Sequence, residues 1–136
     1  MNEVTADEKL KFINNIDSIS RHIRLVQDAA TTMAKKLADQ GEIEFARILL
    51  ANVQCHDNSK WYGIEWANIS KTTHDQDINK EALACAIHQH QSTNEHHPEY
   101  WGGIEQMPRI FLAEMVCDWH ARSAEFGTDL RDWIKN

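Results

Sequence analysis

Apolar residues recur at helical spacing along most of the chain and predict a set of helices. Thr5 and Glu8 have the spacing of a capping box, and no Gly or Pro follows until Gly41. The apolar positions between them lie three, four or seven residues apart and are Phe12, Ile16, Ile19, Ile23, Val26, Met33 and Leu37. This pattern indicates one long helix, or two helices with a bend, that Gly41 ends.

The same periodicity predicts three further helices, at about Ile43 to Cys55, Asn79 to Gln91 and Arg109 to Phe126. We expect a shorter helical turn near residues 64–67, a polar loop over residues 71–77, a structured loop over residues 92–107 and a final turn within residues 128–134. No strand-like alternation of any length interrupts this pattern. The sequence therefore predicts a single all-α domain over residues 1–136.

Composition narrows the class of protein. Apolar residues make up 42% and charged residues 26% of the 136 residues, as in ordinary globular proteins. The net charge of −7 and the lack of a basic patch argue against binding to duplex nucleic acid. No apolar run approaches the roughly 18 residues of a membrane span, and the N-terminus is polar and acidic, unlike a secretory signal. We expect a cytoplasmic protein without a membrane partner.

The three cysteines form no disulfide framework, so we expect reduced thiols. Cys55 and Cys117 adjoin candidate ligands in sequence, but neighbours on a helix point about 100° apart. We therefore expect both thiols to fill the core.

Eight histidines make metal binding the first chemistry to consider, because histidine is the commonest metal ligand. His22 shares a predicted helix face with Ile19 and Val26, which should point into the core. The adjacent pair His56 and Asp57 follows the apolar side of the second helix.

Asp118 lies seven residues after Phe111 on the last helix, on the same side as Glu114 and Met115. Three helices would then aim ionisable groups inward, which is costly unless these groups are paired or bound to metal. Two histidines and two aspartates can hold one divalent cation and leave positions for water or substrate. These candidate ligands are His22, His56, Asp57 and Asp118.

Each candidate also has an ordinary structural explanation. His22 alone could be a satisfied histidine of the core or its rim. Asp118 could pair with Arg122 at i+4, and Asp57 could cap a turn before Ser59. The order and context of the candidates together favour the metal site.

The runs RHIRLVQDAATTMAKKLA and FARILLANVQCHDNSK resemble the opening of the HD superfamily of metal-dependent phosphohydrolases. In that superfamily a first helix carries a His, a second ends in His-Asp, often with a Lys shortly after, and a later helix supplies the last Asp. The resemblance implies an HD-like helical domain. It also implies that the four candidates bind metal and that Lys60 occupies the following-lysine position.

A closer resemblance covers most of the chain from His22 onward. The segments HDNSK, HQSTNEHHPEYWGG and EMVCDWHARS resemble a small uncharacterised domain family of phages and bacteria, whose members combine these motifs in this order. The motifs are specific for that family and carry little information about activity.

The histidines in the middle of the chain suggest a second ion. In binuclear members of the HD superfamily, extra histidines between His-Asp and the last Asp hold this ion, and the Asp of His-Asp bridges the two. The resemblance thus implies that Asp57 is the bridge. His88 and His90 lie about 200° apart on a helix, so one can face the site while the other faces away.

The apolar residues Leu83 and Ile87 lie nearer His90, which favours His90 as the ligand. Of the neighbours His96 and His97, we favour His97. Alternatively, this histidine-rich loop forms only hydrogen bonds around Pro98. We expect His74 and His120 to face solvent or to lie behind the ligands.

The resemblance to the HD superfamily implies a metal-dependent hydrolase that acts on a phosphate ester of a nucleotide or another small phosphorylated molecule. It would use one or two divalent ions per chain, of manganese, iron, zinc, nickel or magnesium. Asp57 and Lys60 are the predicted catalytic residues. Lys60 would neutralise phosphate charge, or would instead pair with Glu65. The alternatives are a di-iron oxygenase of the HD type and a noncatalytic interaction module with a structural metal.

Overall fold

Helix α1 (Ala6–Asp39) is the longest element of the computed structural model, which describes residues 3–68 and 79–131. Its first turn carries the predicted capping box. The Thr5 hydroxyl accepts a hydrogen bond from the Glu8 amide at 3.1 Å, and a Glu8 carboxylate oxygen accepts one from the Thr5 amide at 2.7 Å. The helix ends before Gly41, whose φ of 86° suits glycine. α1 is therefore one helix of 34 residues, about 51 Å long.

The other α-helices are short by comparison. They are α2 (Ile43–Val53), α3 (Gly63–Asn68), α4 (Lys80–Thr93), α5 (Pro98–Trp101) and α6 (Arg109–Glu125). Two 3-10 turns, Asn58–Trp61 and Ile104–Gln106, complete the described elements. Within the two described ranges there is no strand, so the all-α prediction is confirmed.

Several predicted boundaries differ from the structure. α2 ends at Val53 rather than at Cys55, because the chain turns there to enter the first 3-10 turn. The predicted loop over residues 92–107 contains α5, since Pro98 stands in the first turn of that helix, where proline is tolerated. The loop predicted over residues 71–77, which includes His74, lies outside the described residues, as do residues 132–134 of the predicted final turn. None of the helices that the structure describes is both long and apolar enough to cross a membrane.

Helices α1, α2 and α6 pack against one another and form the hydrophobic core. The fully or nearly fully buried residues of this core are Val26, Ala30, Leu49, Val53, Cys117 and Ala121. Small side chains such as Ala30 and Ala121 let the helix axes approach closely. The core thus adjoins the candidate ligands, which lie in the middle of α1, just after α2 and in the middle of α6.

One burial prediction was wrong. Cys55 is exposed because it lies in the turn after α2, whereas Cys117 on α6 is buried as predicted. Phe12 is 55% exposed, because the first turns of α1 extend beyond the helices that cover its middle part.

Helices α3, α4 and α5 form a second group beside the core. His90 lies on α4, and His96 and His97 lie in the turn between α4 and α5. The indole of Trp101 donates a hydrogen bond to the Glu95 carbonyl at 2.8 Å. The same ring stacks on Phe111 of α6, with 5.6 Å between the ring centroids. These two contacts hold residues 95–101 against α6 and so direct the adjacent histidines towards it.

The assigned core predicts that two adjacent apolar residues of α2, Leu49 and Ile48, differ in their contribution to the free energy of unfolding. Leu49→Ala should lower the free energy of unfolding by about 2–5 kcal/mol, since Leu49 is fully buried and its truncation leaves a cavity. Ile48→Ala is the matched control and should have a much smaller effect, because Ile48 is 42% exposed. Urea unfolding of the metal-free protein measures both, and equal losses would contradict the assigned core.

Candidate metal centre

The four side chains predicted to bind a metal converge at one buried point. The Nε2 atom of His22 lies 3.3 Å from Asp57 Oδ2 and 3.1 Å from Asp118 Oδ1. The Nε2 atom of His56 lies 3.5 Å from Asp57 Oδ2 and 3.8 Å from Asp118 Oδ2. All four residues are at most 8% exposed. Helices α1 and α6 and the turn after α2 thus bring these groups to one place, as the sequence predicted.

Asp57 reaches the centre through an uncommon backbone conformation. Its φ of 52° and ψ of 24° are left-handed, and among the described residues it is the one non-glycine with a positive φ. Aspartate tolerates this region better than most residues, although the conformation is sparsely populated. The turn after α2 therefore aims the carboxylate of Asp57 back into the bundle while the chain continues into the first 3-10 turn.

The two oxygens of Asp57 face different groups of histidines. Oδ2 faces His22 and His56, whereas Oδ1 lies 3.2 Å from His90 Nε2 and 3.0 Å from His96 Nε2. Asp57 is 1% exposed, so neither oxygen can rely on water. This arrangement is the one that a carboxylate bridging two ions requires.

The middle histidines form a second group around the same carboxylate. Donor atoms within 4.8 Å of one another come from Asp57, His90, His96 and His97. The predicted ligands His90 and His97 are both present. The prediction omitted His96, which is 2% exposed and lies closer to Asp57 than His90 does.

His90 faces the centre, and His88 on the same helix is exposed. The argument used to choose His90 was only partly correct, since Ile87 is 42% exposed. The buried face of α4 instead runs through Ala86 and His90, because the side of α4 nearest α3 is the one that packs.

Three glutamates that the sequence did not identify as site residues lie behind the imidazoles. Glu125 accepts a hydrogen bond from His22 Nδ1 at 2.7 Å, and Glu65 accepts one from His90 Nδ1 at 2.5 Å. Glu114 lies 2.8 Å from His56 Nδ1 and 3.0 Å from His96 Nδ1. An ionised carboxylate can only accept, so Nδ1 carries a proton, and Nε2 can bind a metal once it is deprotonated.

A helical pattern on α6 could have revealed two of these glutamates. Glu114, Asp118 and Glu125 are four and seven residues apart and therefore share a helix face. Glu65 had no such signal, since it comes from α3 and meets His90 through the packing of α3 on α4.

The inner atoms of the cluster lack hydrogen-bond partners in the described structure. The buried, unpartnered atoms are Nε2 of His22, His56, His96 and His97, Oδ1 of Asp57 and Asp118, and Oε2 of Glu65. Unpaired buried polar atoms are expensive, so such a concentration calls for an additional binding partner. Two ligands at about 2.1 Å from one ion lie about 3.0–3.4 Å apart, which matches most of the closest separations found here. The residues present therefore fit a metal centre.

The ordinary structural explanations for Asp118 and Asp57 are not realised. Arg122 pairs with Glu125 at 2.9 Å, whereas the carboxylate of Asp118 lies against His22. The side chain of Asp57 forms no capping hydrogen bond. His120 is exposed, as expected.

Lys60 lies at the edge of the first ligand group. Its Nζ atom is 3.0 Å from Asp57 Oδ2, and the residue is 7% exposed. Glu65, its predicted alternative partner, accepts hydrogen bonds from Ser59 and His90 instead. The ammonium group is therefore held against the central carboxylate.

A family model matches residues 11–136, nearly the whole chain. The chain belongs to DUF5662, a family of unknown function. Neither the curated proteins nor the solved structures include a significant match. For this DUF5662 protein, the residues of the centre are thus the main guide to chemistry.

Two imidazoles of the centre, those of His22 and His96, hold an extra proton tightly when no metal is bound. Burial lowers the pKa of His22, but the nearby carboxylates of Asp118 and Asp57 outweigh it and raise this pKa to about 9. Burial likewise opposes protonation of His96, yet Asp57 and Glu114 raise its pKa to about 10. Burial and the charges of His96 and His90 lower the pKa of His97 to about 3.

The carboxylates around these imidazoles stay ionised. Burial opposes ionisation of Glu114, but its hydrogen bonds with His56 and His96 lower its pKa to about 2. Burial acts in the same direction on Asp118, and the contact with His22 lowers its pKa to about 2. For Asp57, burial is outweighed by His56 and the other imidazoles, so its pKa lies well below the usual range.

Three substitutions should separate the two ligand groups. Asp57→Ala should remove both ions, because its carboxylate belongs to both groups, and His90→Ala should remove one. His88→Ala is the matched control on the same helix and should keep both, since His88 is exposed. Elemental analysis gives the metal content per chain. An unchanged content in Asp57→Ala would contradict the assigned centre.

Metal binding should release protons in a pH-dependent manner. At pH 7 the raised pKa values keep His22 and His96 protonated in the metal-free protein, and an ion must displace those protons. We expect release of about two protons per chain at pH 7 and much less above pH 10, with affinity rising over that interval. Calorimetric titrations in buffers of different ionisation enthalpy measure the release. A value near zero at pH 7 would contradict this protonation pattern.

Proposed function

We propose that this protein is a metal-dependent phosphohydrolase of the HD type, acting on a small phosphorylated molecule or nucleotide. The observation that carries the proposal is the pair of ligand groups that share Asp57. The first group contains His22, His56, Asp57 and Asp118, and the second contains Asp57, His90, His96 and His97. The order of the first group along the chain also agrees with the resemblance to the HD superfamily.

Each group supplies four protein donors. A tetrahedral zinc ion would be closed by four donors, as in structural sites, whereas a six-coordinate ion would keep two positions open. This count, together with the imidazole donors, favours manganese, iron or nickel over zinc for a catalytic role. When bound, such ions lower the pKa of a water molecule and polarise a phosphoryl oxygen.

The net charge of the centre suits an anionic substrate only when two divalent ions are bound. Among the residues that the structure describes, five carboxylates surround the imidazoles, and the permanent cations in contact with them are Lys60 and Arg122. With neutral imidazoles the sum is −3, which repels a phosphate ester. Two divalent ions change it to +1 and so create local attraction in a chain of net charge −7.

Lys60 would help to bind the phosphate. Its ammonium lies 3.0 Å from Asp57 Oδ2, so it can hold a phosphate oxygen next to the bridging carboxylate. Because the side chain is almost buried, it is already ordered before substrate arrives.

A cavity of about 280 Å³ adjoins the centre and is small enough to favour a small molecule. His56, His96 and Glu114 lie in its wall together with the amides of Asn52 and Asn94, and none of its described lining residues is Lys or Arg. We expect it to hold an uncharged, hydrogen-bonding part of the substrate.

An HD-type di-iron oxygenase is the second candidate, because the three imidazoles of the second group suit iron as well as manganese. Protein purified without added metal distinguishes the two. Two irons per chain with a visible absorption band and no phosphate release would favour the oxygenase. Closed four-coordinate ions without activity would favour a structural centre.

The proposal is tested by phosphate release from a panel of nucleotides and phosphomonoesters, with manganese supplied. Lys60→Ala should lower turnover about 10- to 100-fold, since a hydrogen bond to a charged group contributes about 1.5–3 kcal/mol. Its metal content should change little. The exposed Lys35→Ala is the control and should retain turnover. Inactivity of the fully metallated wild type across the panel would contradict hydrolysis.

A further inference from the structure

One carboxylate oxygen contacts the outer nitrogen of an imidazole in each of the two ligand groups. Oε2 of Glu114 lies 2.8 Å from His56 Nδ1 and 3.0 Å from His96 Nδ1. His56 belongs to the first group and His96 to the second, and their ring centroids are 4.1 Å apart. Glu114 is 5% exposed, so water competes little for these contacts.

The other two glutamates each serve a single group. Glu125 contacts His22 of the first group at 2.7 Å, and Glu65 contacts His90 of the second group at 2.5 Å. The three glutamates thus have the same chemistry but different connections to the ions.

We infer that Glu114 is a positioning residue that couples the two ion sites by orienting one imidazole ligand of each. The inference rests on the two-ion centre of the proposed function. Because a single oxygen accepts from both rings, one side-chain conformation of Glu114 sets both ring orientations. A metal that orders His56 therefore also favours the arrangement of Glu114 that His96 needs, and the reverse holds equally.

Loss of the Glu114 carboxylate should change the metal affinity of the two ion sites by a predictable factor. An outer carboxylate keeps the proton on Nδ1 and makes Nε2 a better donor to metal, and its removal typically lowers metal affinity about 10- to 100-fold. Glu114→Gln should weaken both ions by this factor. Glu125→Gln should weaken only the first ion, and Glu65→Gln only the second.

The decisive measurement isolates one ion at a time. His22→Ala should leave the second ion and His90→Ala the first, so Glu114→Gln is combined with each of these substitutions. Co²⁺ titration, followed by visible absorption, should show about 10- to 100-fold weaker binding in both double variants than in their parents. The exposed Glu105→Gln is the control and should change neither affinity.

The outcomes separate this inference from the proposed function. If the wild type binds fewer than two ions, the two-ion centre itself is overturned. If the wild type binds two ions and Glu114→Gln lowers the metal affinity of only one of the two single-site variants, the coupling role alone is overturned. Purely structural damage would instead lower the unfolding midpoint of the metal-free variant without a selective loss of affinity.

A second measurement needs no variant and covers the case in which Glu114→Gln fails to fold. In zinc-loaded wild-type protein, ¹⁵N spectra of the imidazoles should show a slowly exchanging proton on Nδ1 of both His56 and His96. A proton on Nε2 of either ring would overturn the role of Glu114.

Discussion

The burial of the Asp57 carboxylate is the constraint on which the rest of the centre depends. A carboxylate that is 1% exposed must be compensated by partners, because water no longer solvates it. Imidazole nitrogens and the Lys60 ammonium surround its two oxygens at 3.0–3.5 Å. Those imidazoles are themselves buried, so they need carboxylates on their outer nitrogens. The alternation of Asp57, imidazole and outer glutamate follows from this requirement.

The residues that stabilise the fold differ from those that form the candidate metal centre. Buried charged networks are a weak source of stability, since the cost of desolvation can exceed the attraction. The apolar core of α1, α2 and α6 lies beside the centre and includes the fully buried Val26 and Leu49. It therefore supplies the free energy that keeps the unfavourable concentration of carboxylates and imidazoles in place. A metal bound only by the folded chain would add to that stability.

Much of the site was predictable because its residues lie on helices with clear inward faces. His22 and Asp118 followed from helical spacing, and His56 and Asp57 from their position after the apolar side of α2. His90 was predicted partly for the wrong reason, as the exposure of Ile87 shows. Periodicity gives the relative directions of side chains on one helix, but it does not say which of two adjacent faces a neighbouring helix will cover.

The sequence by itself determined the all-α class, the start of α1 at its capping box and the four candidate ligands of the first group. These features depend on interactions within a few residues or on the orientation of one helix face. Only the tertiary structure decided that both His96 and His97 join the centre, that Lys60 pairs with Asp57, and that Glu65 supports His90. Such contacts depend on the distance and rotation between separate elements, and the packing of the core sets both.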